Sequence, residues 1–184
     1  MSDESTFAAF VGTRLLAWGE LGLVLRAAKE QVDRGKADGL LMFEDRTGKQ
    51  VDFDFRGTAD EVVERAMPTP APAGRGRPKL GVLSREVSLL PRHWEWLEEQ
   101  PHGISAALRR LVDDARKREP GEQRARLART AAHAFMTTMA GDRAGFEEAL
   151  RALYAKDRER FEQKIVRWPG DVRRHAERLA EASF

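Results

Sequence analysis

Cysteine is absent from the 184 residues, which removes disulfide frameworks, thiolate metal sites and a cysteine nucleophile together. No apolar run is long enough to span a bilayer, and the opening MSDEST is acidic where a secretory leader is basic. A soluble cytoplasmic protein with no membrane partner is expected. Catalytic signatures are equally scarce: there is no phosphate-cradling glycine loop, no GxSxG elbow and no HExxH helix. His93, His102, His133 and His175 show no metal-ligand spacing and are read as surface or capping residues. The adjacent acids Glu98-Glu99 and Asp113-Asp114 project about 100° apart on a helix, so neither forms a close dyad. The expectation is a protein that is not an enzyme, with no catalytic residue, metal or cofactor.

What is present is charge. Asp, Glu, Lys and Arg make up 34% of the chain against 41% hydrophobic residues, a balance that suits thin, helix-rich folded parts with one wet side. The net charge of +2 conceals an uneven distribution. Residues 1–67 carry 9 Lys/Arg against 13 Asp/Glu, residues 68–130 carry 13 against 8, and residues 131–184 carry 10 against 9. An anionic partner is therefore expected to meet the middle third.

The first segment, 1–67, reads as a small α+β domain. Phe7 to Val11 and Arg14 to Trp18, separated by Gly12-Thr13, have the pattern of a hairpin. Leu21, Val24, Leu25, Ala28 and Val32 recur at helical spacing until Gly35. Leu40 to Phe43, the turn Asp45 to Gly48, and the alternating Val51-Asp52-Phe53-Asp54-Phe55 predict a second strand pair. Thr58 and Glu61 have capping-box spacing, predicting a helix over 59–66. The order is strand, strand, helix, strand, strand, helix. Asp52 and Asp54, with Glu44 and Asp45 across the turn, are either a solvent-facing strand edge or a hard-cation site.

Residues 68–80 form a basic linker in which proline alternates with small residues before Gly74-Arg75-Gly76-Arg77-Pro78-Lys79-Leu80. Arg75, Gly76, Arg77, Pro78 and Lys79 resemble the core of an AT-hook. A glycine between two arginines lets the backbone lie deep in a narrow minor groove, guanidinium groups extend along its negative floor, and proline fixes the exit. An arginine-bearing proline spacer is the plainer reading.

Residues 81–119 follow as a strand over Val82 to Leu90, a helix opened by Pro91, a break at Pro101-His102-Gly103, and a second helix capped by Ser105 and striped by Leu108, Leu111, Val112 and Ala115. Trp94 and Trp96 fall on different faces of the first helix, one for the core and one for a dimer interface or the linker. This succession resembles the ribbon-helix-helix fold, whose chains pair their strands into a ribbon in the major groove. The resemblance implies a homodimer, with Arg85, Arg92, Arg109 and Arg110 against phosphate or base edges. Here the more polar strand face is Ser84, Glu86, Ser88 and Leu90, which implies only modest sequence preference. A helix-turn-helix, or a helical hairpin that simply packs, fits the same pattern.

Residues 120–184 read as a helical bundle. Leu127, Ala131, Phe135 and Met139 mark one long helix. Asp142-Arg143-x-x-Phe146-Glu147 recurs as Asp157-Arg158-x-x-Phe161-Glu162, predicting two short helices, each with an Asp N-cap and a Phe core anchor. After Trp168-Pro169-Gly170, Asp171 is placed to cap a last helix. The bundle either serves oligomerisation or a protein partner, or completes the core.

Taken together, RGRPKLGV, REVSLLPRHWEWL, AGDRAGFEEALRALYAKDRERFE and WPGDVRRH resemble the bacterial Domain of Unknown Function 2239 family. That resemblance implies no activity. The fold class expected is α+β: the small N-terminal domain, a Pro/Arg linker, and a mainly helical C-terminal part beginning with one strand. The function expected is a homodimeric DNA-binding protein, a transcriptional regulator or nucleoid-associated factor, on A·T-rich sites. A protein-interaction module without nucleic acid is the alternative, and a metal-dependent enzyme acting on nucleic acid through Asp52 and Asp54 is a third.

Overall fold

A computed structural model describes residues 5–67, 85–118 and 120–184. Four strands run in chain order as β1 (Phe7–Val11), β2 (Arg14–Gly19), β3 (Leu40–Glu44) and β4 (Lys49–Gln50). The helices are α1 (Leu21–Asp33), α2 (Ala59–Ala66), α3 (Pro91–Glu98), α4 (Ile104–Arg118), α5 (Pro120–Ala140), α6 (Phe146–Tyr154), α7 (Arg158–Ile165) and α8 (Gly170–Ala180). The fold is α+β as expected. Two compact units divide the chain, residues 1–69 with 122–184, and residues 70–121.

In the larger unit the strands form one antiparallel sheet in the order β2-β1-β3-β4. Both faces are covered. Ala8, Phe10, Leu15, Leu41 and Phe43 face a core built with Phe135 and Met136 of α5, Leu153 of α6, Phe161 of α7 and Val172 and Ala176 of α8. Ala9, Leu16, Leu40 and Met42 face the opposite way, onto Val24, Leu25 and Ala28 of α1 and Val62 of α2. A strand buried on both sides reads as an unbroken apolar run rather than an alternation, which is the character of Phe7–Val11 and Leu40–Phe43.

A register shift between Ala9 and Phe10 explains how β2 serves both faces. Ala9 pairs with Ala17 and Phe10 with Leu15, leaving Leu16 as the extra residue of a bulge. Without it Leu15 and Ala17, two positions apart, would point the same way. With it, Leu15 joins the α5–α8 side while Leu16 and Ala17 join the α1–α2 side.

The sequence division into an N-terminal domain over 1–67 and a bundle over 120–184 therefore differs from the packing, since the sheet and the last four helices share a core. A two-sided sheet leaves neither piece a complete hydrophobic interior.

Several local expectations hold. Thr58 Oγ1 accepts the Glu61 amide and the Glu61 carboxylate accepts the Thr58 amide, closing the capping box. Pro91 opens α3, and Asp157 caps α7 by accepting the Arg160 amide.

Others are corrected. The second strand pair closes over only Lys49–Gln50, with one further bond from the Val51 amide to the Met42 carbonyl. Val51, Phe53 and Phe55 still pack inward, but no ladder accompanies them, because Arg65 of α2 donates to the carbonyls of Asp54 (2.7 Å) and Arg56 (3.2 Å). A side chain has replaced the sheet partner. Helix α6 is capped by Gly145 rather than Asp142. Gly145 has φ of +87°, and a Cβ there would strike the Lys164 carbonyl, so close approach to α7 sets where α6 begins. Pro169 occupies the N-cap of α8, placing Asp171 inside the first turn. Ser105 likewise sits inside α4, whose first amides are taken by the Gly103 carbonyl.

The smaller unit contains the α3–α4 hairpin. Residues 85–90 carry no regular structure, and Val82 to Ser84 lie outside the described residues. The strand expected over Val82 to Leu90 is thus absent from 85–90, since a strand needs a ladder partner and the described residues supply none here.

Candidate functional site

The residues expected from the sequence to contact DNA lie on the linker and the hairpin. Arg75, Gly76, Arg77, Pro78 and Lys79 lie outside the described residues. Arg85 precedes α3, Arg92 lies in its first turn, and Arg109 and Arg110 are consecutive on α4; all four are exposed. Arg110 donates to Gln100 Oε1 at 3.2 Å. Among the described residues, none of the four arginines meets a carboxylate within 4.0 Å, and the ion pairs all fall in the other unit. The hairpin buries little apolar surface of its own: Leu97 and Ala107 are enclosed, while Val87, Leu90, Trp96, Leu111 and Val112 are exposed. Leu89, His93, Trp96, Leu108 and Leu111 line a groove of about 270 Å³. Of the two tryptophans, Trp94 is half-buried and Trp96 exposed.

Asp52 and Asp54 do not present two free carboxylates. Asp54 is clasped by Arg56 through contacts of 2.7 to 3.1 Å and approached by Arg65 at 3.6 Å; the hydrogen bonds from Arg56 hold its carboxyl far below the ordinary carboxylate range. Asp52 accepts from Gln50 at 3.2 Å. No cluster of three metal-ligating side chains occurs among the described residues.

A different polar cluster lies beside the sheet, and sequence reasoning missed it. His175 of α8, read as a surface or capping residue, is fully buried against Phe10 and Phe135, with its ring 4.7 Å from that of Phe135 and 5.5 Å from that of Phe10. An arginine has no acceptor, so the 3.1 Å contact between the Arg178 guanidinium and His175 Nδ1 has the guanidinium donating. The ring proton is then on Nε2, which faces Asp45 Oδ1 at 3.1 Å. That contact is short but off hydrogen-bond alignment, and neither atom has another partner among the described residues.

The other oxygen of Asp45, Oδ2, accepts from Thr6 Oγ1 and Trp18 Nε1, each at 2.7 Å. Burial opposes ionisation of Asp45, yet the polar contacts from His175, Thr6 and Trp18 outweigh it and hold the carboxyl below its ordinary value of 3.8. The Arg178 guanidinium lies 4.0 Å from the centre of the Trp18 ring. Asp45 begins the turn whose Gly48, at φ +65°, sits so close to α5 that a Cβ would overlap the Ala131 carbonyl. Outside the cluster is a pocket of about 350 Å³, to which Arg46, Arg124 and Arg178 all contribute.

No single stretch of sequence announces this arrangement. Its members come from positions 6, 18, 45, 175 and 178, and only the His175 and Arg178 pair has a local spacing, one helical turn.

The molecule defined by these features is an α+β protein with a helix-covered antiparallel sheet and a separate helical hairpin. Its sequence matches over residues 6–180 the family described as "Uncharacterized protein conserved in bacteria (DUF2239)", and the chain belongs to that family. No curated protein and no solved structure matches it.

Proposed function

We propose that the chain is a homodimeric DNA-binding protein, a regulator or nucleoid-associated factor, in which Arg75, Arg77 and Lys79 follow the minor groove of A·T-rich sites. Arg85, Arg92, Arg109 and Arg110 of the hairpin contact phosphates. The observation that carries this reading is that these four arginines are exposed with no carboxylate partner among the described residues. Unpaired guanidinium groups keep their full attraction for phosphate. The exposed apolar groups around Trp96 and Leu111 suit the packing of a second copy.

Magnitudes decide which part does most. Between residues 85 and 115 the four arginines stand beside six acids, Glu86, Glu95, Glu98, Glu99, Asp113 and Asp114. The hairpin is therefore not a strongly positive surface, and the arm supplies most of the affinity. Each phosphate neutralised contributes about −0.9 to the slope of log K against log salt. The three cations of the arm then give a slope of about −3 per chain, to which the hairpin, with six acids beside its four arginines, adds less than its arginine count.

Fluorescence anisotropy on A·T-rich and G·C-rich duplexes across a salt series measures both slope and preference. Arg75→Ala with Arg77→Ala is expected to lower affinity and abolish the A·T preference. Absence of salt-dependent binding at micromolar protein overturns the proposal and leaves the protein-interaction module as the reading to test.

A further inference from the structure

We propose that the pocket beside Trp18 is a binding site for a small organic phosphate of mononucleotide size. The pocket belongs wholly to the larger unit, and nothing in the DNA-binding proposal uses it.

Its charge is the first argument. Arg46, Arg124 and Arg178 line it, and Arg124 and Arg178 have no carboxylate partner among the described residues. Arg46 is paired with Glu44, donating to Oε1 at 3.5 Å. Asp45 also borders the pocket, but its Oδ2 is occupied by Thr6 and Trp18 and its Oδ1 is turned to the buried His175. Both oxygens of the acid are thus engaged, by Thr6, Trp18 and the buried His175, and three guanidinium groups line the same space. On the larger unit many arginines find an Asp or Glu, so two guanidinium groups at one concavity without a carboxylate among the described residues are a departure that an anion would relieve.

Preorganisation is the second. Arg178 is held by its stack on Trp18 and its bond to His175, so it loses little freedom when an oxyanion arrives. Ser5 and Thr6 border the same space, the Thr6 hydroxyl donating to Asp45.

Size and the opposite wall are the third. Leu127, Ala128 and Ala131 present one face of α5, and Leu179 and Ala182 continue the apolar surface. A volume of about 350 Å³ lies at the lower end of the range for small-molecule pockets and far exceeds one water's share of about 30 Å³. An inorganic ion would leave the apolar wall uncovered. A phosphate joined to a flat, largely apolar body uses both walls, with the guanidinium forks meeting the phosphate oxygens.

Titration calorimetry of the full chain with AMP, adenosine and inorganic phosphate tests this. AMP is expected to bind with a dissociation constant below about 1 mM, and adenosine and phosphate each at least about tenfold more weakly, since each lacks one half of the recognised chemistry. Arg124→Ala is the decisive variant, because Arg124 is exposed and its side chain makes no hydrogen bond or ion pair among the described residues, so thermal stability should not change. It is expected to weaken AMP at least about tenfold. No heat from AMP at millimolar concentration, equal binding of adenosine or phosphate, or unchanged AMP affinity in Arg124→Ala overturns the proposal. The two functional readings fail separately: Arg124→Ala retains DNA anisotropy, and the Arg75→Ala, Arg77→Ala variant retains AMP binding.

Discussion

The backbone amide of Leu15 donates to the Asp171 carboxylate at 2.9 Å, joining two residues 156 positions apart. Leu15 stands beside the β2 bulge, where ladder bonding is locally broken, and Asp171 lies in the first turn of α8, where a negative charge is favoured. The same carboxylate receives Arg174. One acidic side chain thus fixes the end of the last helix against the edge of the first hairpin. Asp171→Ala is expected to lower unfolding free energy by about 1–2 kcal/mol, with Asp171→Asn losing less because it keeps an acceptor oxygen. Urea denaturation of the three proteins measures the order.

The shared core predicts joint unfolding. Phe135 of α5 is fully buried with its ring 5.6 Å from Phe10 and 5.0 Å from Phe43, both on the sheet. Phe135→Ala should cost about 3–5 kcal/mol. The fragment 1–67 should fail to form a cooperative fold by itself, because its sheet would expose one whole apolar face. Circular dichroism melts of the fragment and the full chain separate this outcome from two independent domains.

Gly48 is expected to tolerate no side chain. Its φ of +65° disfavours L residues, and a Cβ would enter the space of the Ala131 carbonyl. Gly48→Ala should destabilise by roughly 2–4 kcal/mol, more than strain alone, since α5 or the turn must move. Gly12, also at positive φ but with open space around it, provides the comparison: Gly12→Ala carries only the conformational cost, about 1 kcal/mol.

Asp45 gives the larger unit an acid-sensitive element. Its folded carboxyl titrates below the ordinary value of 3.8, so ionised Asp45 stabilises the fold above that value, and the contribution is lost as pH falls through the folded value. Asp45→Asn should cost about 2 kcal/mol near neutral pH, with the gap to the unsubstituted protein narrowing below about pH 4. Chemical denaturation at a series of pH values reads that convergence. A gap that stays constant into acid would show that the charge of Asp45 does not matter.

Much of the local architecture was legible in the residues. The Thr58 and Glu61 box, the proline at the start of α3 and the Asp157 cap depend on neighbours within one turn, and each formed as expected. The Asp142 and Asp171 caps were expected on equally local grounds and did not form. At Asp142 the approach of Gly145 to the Lys164 carbonyl moved the helix start; at Asp171 the side chain had a distant amide to bind. The alternation Val51 to Phe55 correctly marked which side chains face inward but not the missing ladder, because Arg65 satisfies those carbonyls from another element.

By itself the sequence determined where helices and turns lie, which side chains are apolar, and that positive charge gathers in the middle third, since these follow from composition and from spacings of a few residues. Only tertiary structure decided that the first and last thirds share one interior, that His175 is buried, and that Trp18, Asp45 and Arg178 meet beside a cationic pocket. The physical reason is that a two-sided sheet must be covered by whatever helices can reach it. Which ones do is fixed by shape and by long-range bonds such as Leu15 to Asp171, for which no local pattern exists.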